Sequence, residues 1–281
     1  MTAVLNGKQV LAPPKDIAEV KNAYEIYDRL DELNPYLVDD LLTAHGIMTR
    51  GLVEESGAFR TRPVGVVDIE GNVLHFGTLP QYVPDLVLEL LDWVKTSEVH
   101  MLIRSCVFHY ELELIHPFAD GNGRVGRLLI PLFLYTSQSI PSPTFYISRY
   151  FASHDNKYKK CLFDISATNE KHLLIQAWKR WLIFFLHGVE AESVNHIETS
   201  KRIIQLYDEM KHILKRTDQY PIIDYLFNNL RIEPKEFIRK STLPRSSVYS
   251  TLHTLADAGF ITRTGSERKS KYIFQQLVNI I

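Results

Sequence analysis

Two cysteines in 281 residues, Cys106 and Cys161, are too few for a disulfide framework and read as buried thiols of a reducing compartment. Long apolar runs are missing too. The most apolar window, Leu173–Leu186, is short and interrupted by Lys179 and Arg180, which excludes a membrane span there. There is no internal repeat, no low-complexity segment, and no basic-then-apolar order at the start that would mark a secretion signal. Charge of one sign is not in excess. With 32 Lys and Arg against 33 Asp and Glu, no global attraction to nucleic acid or membrane follows. What is present, 45% hydrophobic and 23% charged residues, is the composition of an ordinary globular protein, expected in the cytoplasm. The length suits one large domain and one small one.

One stretch stands apart: His116-Pro117-Phe118-Ala119-Asp120-Gly121-Asn122-Gly123-Arg124-Val125-Gly126-Arg127. Pro117 lacks an N–H and disfavours helical geometry at His116, so a preceding helix should end there. Gly121 and Gly123 allow backbone conformations that a side chain forbids, and their N–H groups can face a ligand at the start of the next helix. Arg124 and Arg127, three apart, share a face of its first turn, and guanidinium forks suit phosphate oxygens. Asp120 offers hard oxygen to a magnesium ion already held by phosphates. Histidine is the residue type that titrates near neutrality, which makes His116 the natural general base. The set suits nucleotide phosphate chemistry with a base placed for an incoming hydroxyl.

The stretch resembles the signature of the Fic family, His-Pro-Phe-x-Asp/Glu-Gly-Asn-Gly-Arg-x-x-Arg, and matches every defined position. The resemblance implies transfer of AMP from ATP to a side-chain hydroxyl of a target protein. It implies His116 as the base, Asp120 as the magnesium ligand, and Asn122 with the amides of Gly121 and Gly123 on the α-phosphate. Arg124 and Arg127 would hold the β- and γ-phosphates. Relatives that phosphorylate replace the first glycine with a larger residue, so Gly121 implies AMP transfer instead. The likeness extends, less specifically, over residues 15–190.

Helical spacing of Ile17, Val20, Tyr24, Tyr27 and Leu30 predicts a helix stopped before Pro35, and Leu37, Leu41, Leu42 and Ile47 predict a second. His45 reads as a packing or hydrogen-bonding residue. Two β-prone runs, Val64–Val67 and Val73–Phe76, flank Gly71-Asn72 and predict a hairpin. The resemblance makes it a flap whose residues Val73, Leu74, His75 and Phe76 dock the target by strand addition. Helices follow from Pro84, over 98–115 and over 124–137, the last with a kink expected at Pro131. His109 reads as a core or cap histidine. By resemblance, the region of Tyr146, Tyr150 and Tyr158 lines the nucleotide's base and ribose, with Tyr158 the best single candidate. A helix over 177–189 and a charged, amphipathic one over 190–218 come next.

From Pro221 onward, three short helical patterns and two β-prone runs resemble a winged helix-turn-helix, a module that several Fic proteins carry at this end. Nine Lys and Arg against five Asp and Glu give this segment +4, while the rest carries −5. That asymmetry points to DNA contact through Arg245, Arg268 and Lys269, with a protein-interaction module the open alternative. The expected fold is therefore mainly α: a Fic helical core with a β-hairpin flap over residues 1–190, a connecting helix over 191–218, and a winged helix-turn-helix over 219–281. The expected activity is protein adenylyltransfer with Mg-ATP onto a Ser, Thr or Tyr hydroxyl. Removal of AMP from modified protein and a nucleotide-sensing DNA-binding regulator stay open as alternatives. Fic enzymes are commonly restrained by a helix carrying Ser/Thr-x-x-x-Glu-Gly/Asn, whose glutamate pairs with the second motif arginine. Here only Glu70-Gly71 ends that way, with Val66 where Ser or Thr should stand, so Glu70 reads as a decoy. The expectation is a de-repressed enzyme, able to modify itself or a target, or one inhibited by a partner in trans.

Overall fold

The computed structural model describes residues 13–67, 73–214, 216–265 and 270–280, with the backbone alone for 66–67 and 73–75. The chain divides into two compact units, Met1–Ser193 and Val194–Ile281.

The first unit opens with α1 (Pro14–Asp28), whose proline occupies the first turn, where its missing N–H costs nothing. Next come α2 (Val38–Thr49) and a hairpin of β1 (Gly65–Val67) and β2 (Val73–Phe76). The hairpin is antiparallel, with Gly65 opposite Phe76, Val66 opposite His75, and an irregularity between Val66 and Val67. Helix α3 (Val83–Thr96) buries Val83, Val87, Leu90, Leu91 and Val94, one apolar stripe at helical period. Then come α4 (Met101–Ile115) and α5 (Asn122–Thr136), which carry the motif between them. Residues Leu128 through Leu134 of α5 are buried without a break, so this helix is enclosed on every side. Phe133 meets Phe108 of α4 edge to face, with centroids 4.8 Å apart. Pro131 lies inside α5 without ending it.

Two short helices, α6 (Ile147–Ser153) and α7 (Asp155–Ser166), occupy a region with no clear apolar period. The next element corrects an expectation. Where the sequence suggests two helices, over 177–189 and 190–218, one continuous helix α8 runs from Lys171 to Ile213. Gly188, the natural break, is instead a packing residue: a Cβ there would lie 2.8 Å from the Tyr150 ring. Trp181 of α8 is fully buried and donates to the Cys106 carbonyl at 3.1 Å. Arg149 of α6 meets the buried Glu192 through both carboxylate oxygens, at 3.1 and 2.6 Å.

The second unit has its own core. Leu206 and Met210 from the end of α8, with Leu214 just past it, are buried with Ile222, Ile223, Leu226, Leu252 and Phe274. Its remaining elements are α9 (Tyr220–Asn229), β3 (Arg231–Ile232), α10 (Pro234–Lys240), α11 (Arg245–Asp257), β4 (Thr262–Thr264), β5 (Lys271–Ile273) and α12 (Gln275–Ile280). The three strands form one antiparallel sheet in the order β3-β5-β4.

Candidate active site

The site is the junction of α4 and α5. Helix α4 ends at His116, which adopts left-handed backbone geometry at φ 53°, ψ 61°, and its N–H returns to the Leu112 carbonyl. A left-handed non-glycine costs roughly 1–2 kcal/mol, so the surroundings must hold it. Nδ1 of His116 lies 3.2 Å from the Glu113 carbonyl. A carbonyl only accepts, so Nδ1 carries the proton in that bond and Nε2 keeps its lone pair.

The loop after His116 is braced internally. The Asn122 side chain accepts from the Phe118 N–H and donates to the Phe118 carbonyl, both at 2.8 Å, and Asn122 is buried. Its amide group therefore closes the loop. Gly121 sits at φ 93°, and a Cβ there would meet Thr49 Cγ2 at 3.0 Å, so glycine is required for both conformation and space. His45 supports the loop from α2. Gly57 donates to its Nδ1 at 3.0 Å, so Nε2 is the protonated nitrogen that donates to the Asp120 carbonyl, also at 3.0 Å. The ring stacks on Phe118 at 3.9 Å, and burial pushes its pKa down, which favours this neutral form.

Around this frame the motif residues come together. His116, Ala119, Asp120, Gly121, Asn122, Gly123, Arg124 and Arg127 line one open cavity of about 350 Å³. The first turn of α5 opens onto it, and the N–H groups of a helix's first turn, which have no intrahelical partner, suit an anion. Asp120 is 58% exposed at its side chain; Oδ1 accepts from the Gly121 N–H at 2.6 Å and Oδ2 faces Arg124 at 3.1 Å. Arg124 also lies 3.6 Å from Glu19 of α1. Among the described residues no three His, Cys, Asp or Glu gather as a metal site. Asp120 alone still suits magnesium, which takes one or two carboxylates and completes its shell with substrate phosphates and water.

Arg127 turns inward. A Cβ on Gly123 would lie 2.7 Å from Arg127 Nη1 and 3.1 Å from Glu113 Oε1, so both groups converge beneath Gly123. The Glu113 side chain is 17% exposed, yet Oε1 is enclosed without a hydrogen-bond partner. Burial raises its pKa to about 7, against the opposing pull of Arg127. Behind it, His109 shares a 2.9 Å hydrogen bond with the Tyr158 hydroxyl, and burial lowers its pKa to about 3.

Tyr158 is 9% exposed, stacks on Phe151 at 4.8 Å and bonds to His109 through its hydroxyl inside the core. In the flap, Phe76 is 72% exposed, and the backbones of Val73, Leu74 and His75 form the strand beside it. Arg245 is exposed at the start of α11, with its guanidinium 5.6 Å from the Tyr249 ring centre. Arg268, Lys269 and Glu70 lie outside the described residues.

The sequence reading missed Arg60. This residue is 2% exposed, and its guanidinium donates to the carbonyls of His116 at 2.6 Å, Arg62 at 2.9 Å, Ile115 at 3.3 Å and Thr78. A lone arginine in a loop has no spacing that could mark it. Glu113 did leave a signal: an acid three residues before the base, within a helix of core residues.

Residues 9–134 match the model of the Fic/DOC family. Among curated proteins, the protein adenylyltransferase fic-1 of Caenorhabditis briggsae is 33% identical over 104 residues, which cover 36% of this chain and 19% of that protein. The protein adenylyltransferase Fic of Nematostella vectensis is 27% identical over 146 residues, 48% of this chain and 33% of its own length. The chain thus spans between a fifth and a third of these two relatives. Among solved structures, a Fic family protein from Desulfovibrio desulfuricans superposes with a TM-score of 0.64 at 28% identity, covering 97% of this chain and 79% of that one.

Proposed function

We propose that the protein is an adenylyltransferase that moves AMP from ATP to a hydroxyl side chain of a target protein. The observation that carries this reading is the His116 Nδ1 contact to the Glu113 carbonyl, which leaves Nε2 as acceptor beside the cavity that holds the α5 amides and both arginines. The names of the relatives support it: both of those described above are protein adenylyltransferases.

In this mechanism the nucleotide phosphates lie against the start of α5. The N–H groups of its first turn take the α-phosphate, and Arg124 and Arg127 take the phosphates beyond it. Arg124 must then exchange Asp120 and Glu19 for phosphate oxygens, and both of those pairs are solvent-exposed enough to be weak. The target hydroxyl attacks in line. Its oxygen bonds to the α-phosphorus, the bond to the bridging oxygen breaks, pyrophosphate leaves, and the proton passes to His116 Nε2. Asp120 would hold a magnesium ion, which when bound would neutralise charge on the phosphate oxygens. The donors are fixed before the reaction starts, which is where such sites gain most of their rate.

The flap supports a protein target. β2 has no second strand beside it among the described residues, so its outer edge can pair with an extended segment next to the modified hydroxyl. For the second unit we propose a winged helix-turn-helix that contacts DNA. Its helix-strand-helix-helix-strand-strand order and its positive charge support that reading.

Labelled ATP tests the main reading. Label in the α-position should appear on protein, and label in the γ-position should not. Protein labelled from the γ-position would mark phosphorylation, and AMP released from already modified protein would mark the reverse hydrolysis.

A further inference from the structure

We propose that Arg60 is a positioning residue for the base, and that its buried guanidinium couples seating of a target on the flap to alignment of His116. The proposal rests on the adenylyltransferase reading above. The N–H groups of this one side chain make four hydrogen bonds. They reach carbonyls in three separate segments: the last turn of α4 at Ile115 and His116, the flap's exit at Thr78, and its own loop at Arg62. Among the described residues no carboxylate pairs with this guanidinium. Carbonyl dipoles carry its charge, helped by the negative end of α4.

The backbone follows the same plan. Arg60 N–H donates to the Pro117 carbonyl at 3.0 Å, Thr78 N–H to the Ile115 carbonyl at 3.2 Å, and Gly77 N–H to the Val64 carbonyl at 3.1 Å. The flap's exit therefore touches the base directly: a Cβ on Gly77 would sit 3.1 Å from His116 Cβ and 2.9 Å from the Arg60 guanidinium. No slack remains between the strand that would receive a target and the residue that would deprotonate it.

This arrangement accounts for the left-handed backbone of His116. Its carbonyl is aimed at Arg60, and any other φ and ψ would turn that carbonyl away. Burying a guanidinium with no carboxylate partner is expensive, and hydrophobic packing would join two loops at lower cost. A planar fork does something that packing does not: it fixes carbonyl directions, and hence the orientation of the peptide that carries the base. A shift of the flap that moves the Thr78 carbonyl must move the fork, and with it His116.

The test compares wild type with Arg60→Lys and Arg60→Ala. Lysine keeps the charge and loses the fork, so Arg60→Lys should lower kcat by about 10- to 100-fold while ATP affinity is retained. Added guanidinium should restore part of the Arg60→Ala rate, and the same concentration of sodium chloride should not. Equal losses of ATP affinity and kcat, or a rate that does not change, would overturn the proposal. A second readout does not depend on activity. In Arg60→Lys, which should fold even if the alanine variant does not, amide exchange at Thr78 should speed up and the His116 imidazole resonances should move. If wild type transfers no AMP, the functional reading fails alone; unchanged Thr78 exchange and His116 resonances would sink the clamp on their own.

Discussion

Glu113 is a carboxyl group pressed beneath the phosphate cavity, and its ionisation can be predicted in sign. Its pKa is raised from 4.5 to about 7 by burial. Between those values the unfolded chain is ionised and the folded one is not, so this group withdraws stability as pH rises. His109 works in the opposite sense. With its pKa lowered from 6.5 to about 3, it withdraws stability as pH falls through that window. Glu113→Gln removes the first effect and leaves the second. The stability gained by Glu113→Gln over wild type should therefore grow as pH rises from about 4.5 to 7, reaching on the order of 3 kcal/mol. Denaturant melts of both proteins at several pH values would show it, and a gain that does not vary with pH would mean that Glu113 ionises freely. Gly121 offers a second check at this scale. Gly121→Ala adds both a positive-φ penalty and a clash with Thr49, and should cost at least about 1–2 kcal/mol in the same melts.

At the scale of elements, the motif loop was readable because its chemistry is local. Pro117 predicts the end of α4 and the glycines predict the start of α5, and both ends fall within two residues of expectation. The supports were not readable, because they come from elsewhere in the chain. Arg60 acts across more than fifty residues and His45 across seventy-five, and no periodicity connects such pairs. The charged stretch after residue 189 suggests a new element, yet α8 runs through it, because a helix continues through charges when no proline or left-handed residue stops it. The hairpin permits a register-specific prediction. Gly77 N–H is bonded to Val64, so by alternation His75 also faces β1 while Phe76 turns its backbone outward, and the irregularity falls beyond them at Leu74. Phe76→Pro should therefore lower target modification much more than ATP binding, by removing an outer-edge N–H. His75→Pro should disrupt the hairpin itself. Equal effects of the two on both readouts would mean that the flap serves the nucleotide and not the target.

For the whole molecule, the second unit begins earlier than its sequence pattern suggests. Leu206 and Met210 of α8 and Leu214 just past it are buried in its core, so a fragment starting at residue 219 leaves that core open. Residues 194–281 should melt cooperatively, and residues 219–281 should lose several kcal/mol or fail to fold, as circular dichroism would report. DNA contact is best measured on the full chain. Affinity for duplex should fall steeply with salt and weaken in Arg245→Glu. No binding at low salt would favour a protein partner for this unit.

The proposed AMP transfer uses His116 as its base, on a phosphate site built from other groups. The direct measurement is protein labelling from α-labelled ATP by wild type and by His116→Ala, with nucleotide affinity determined for each. Labelling should fall by about 10²- to 10⁴-fold in the variant while its affinity for ATP is retained. Labelling at the wild-type rate in His116→Ala would remove His116 from the reaction.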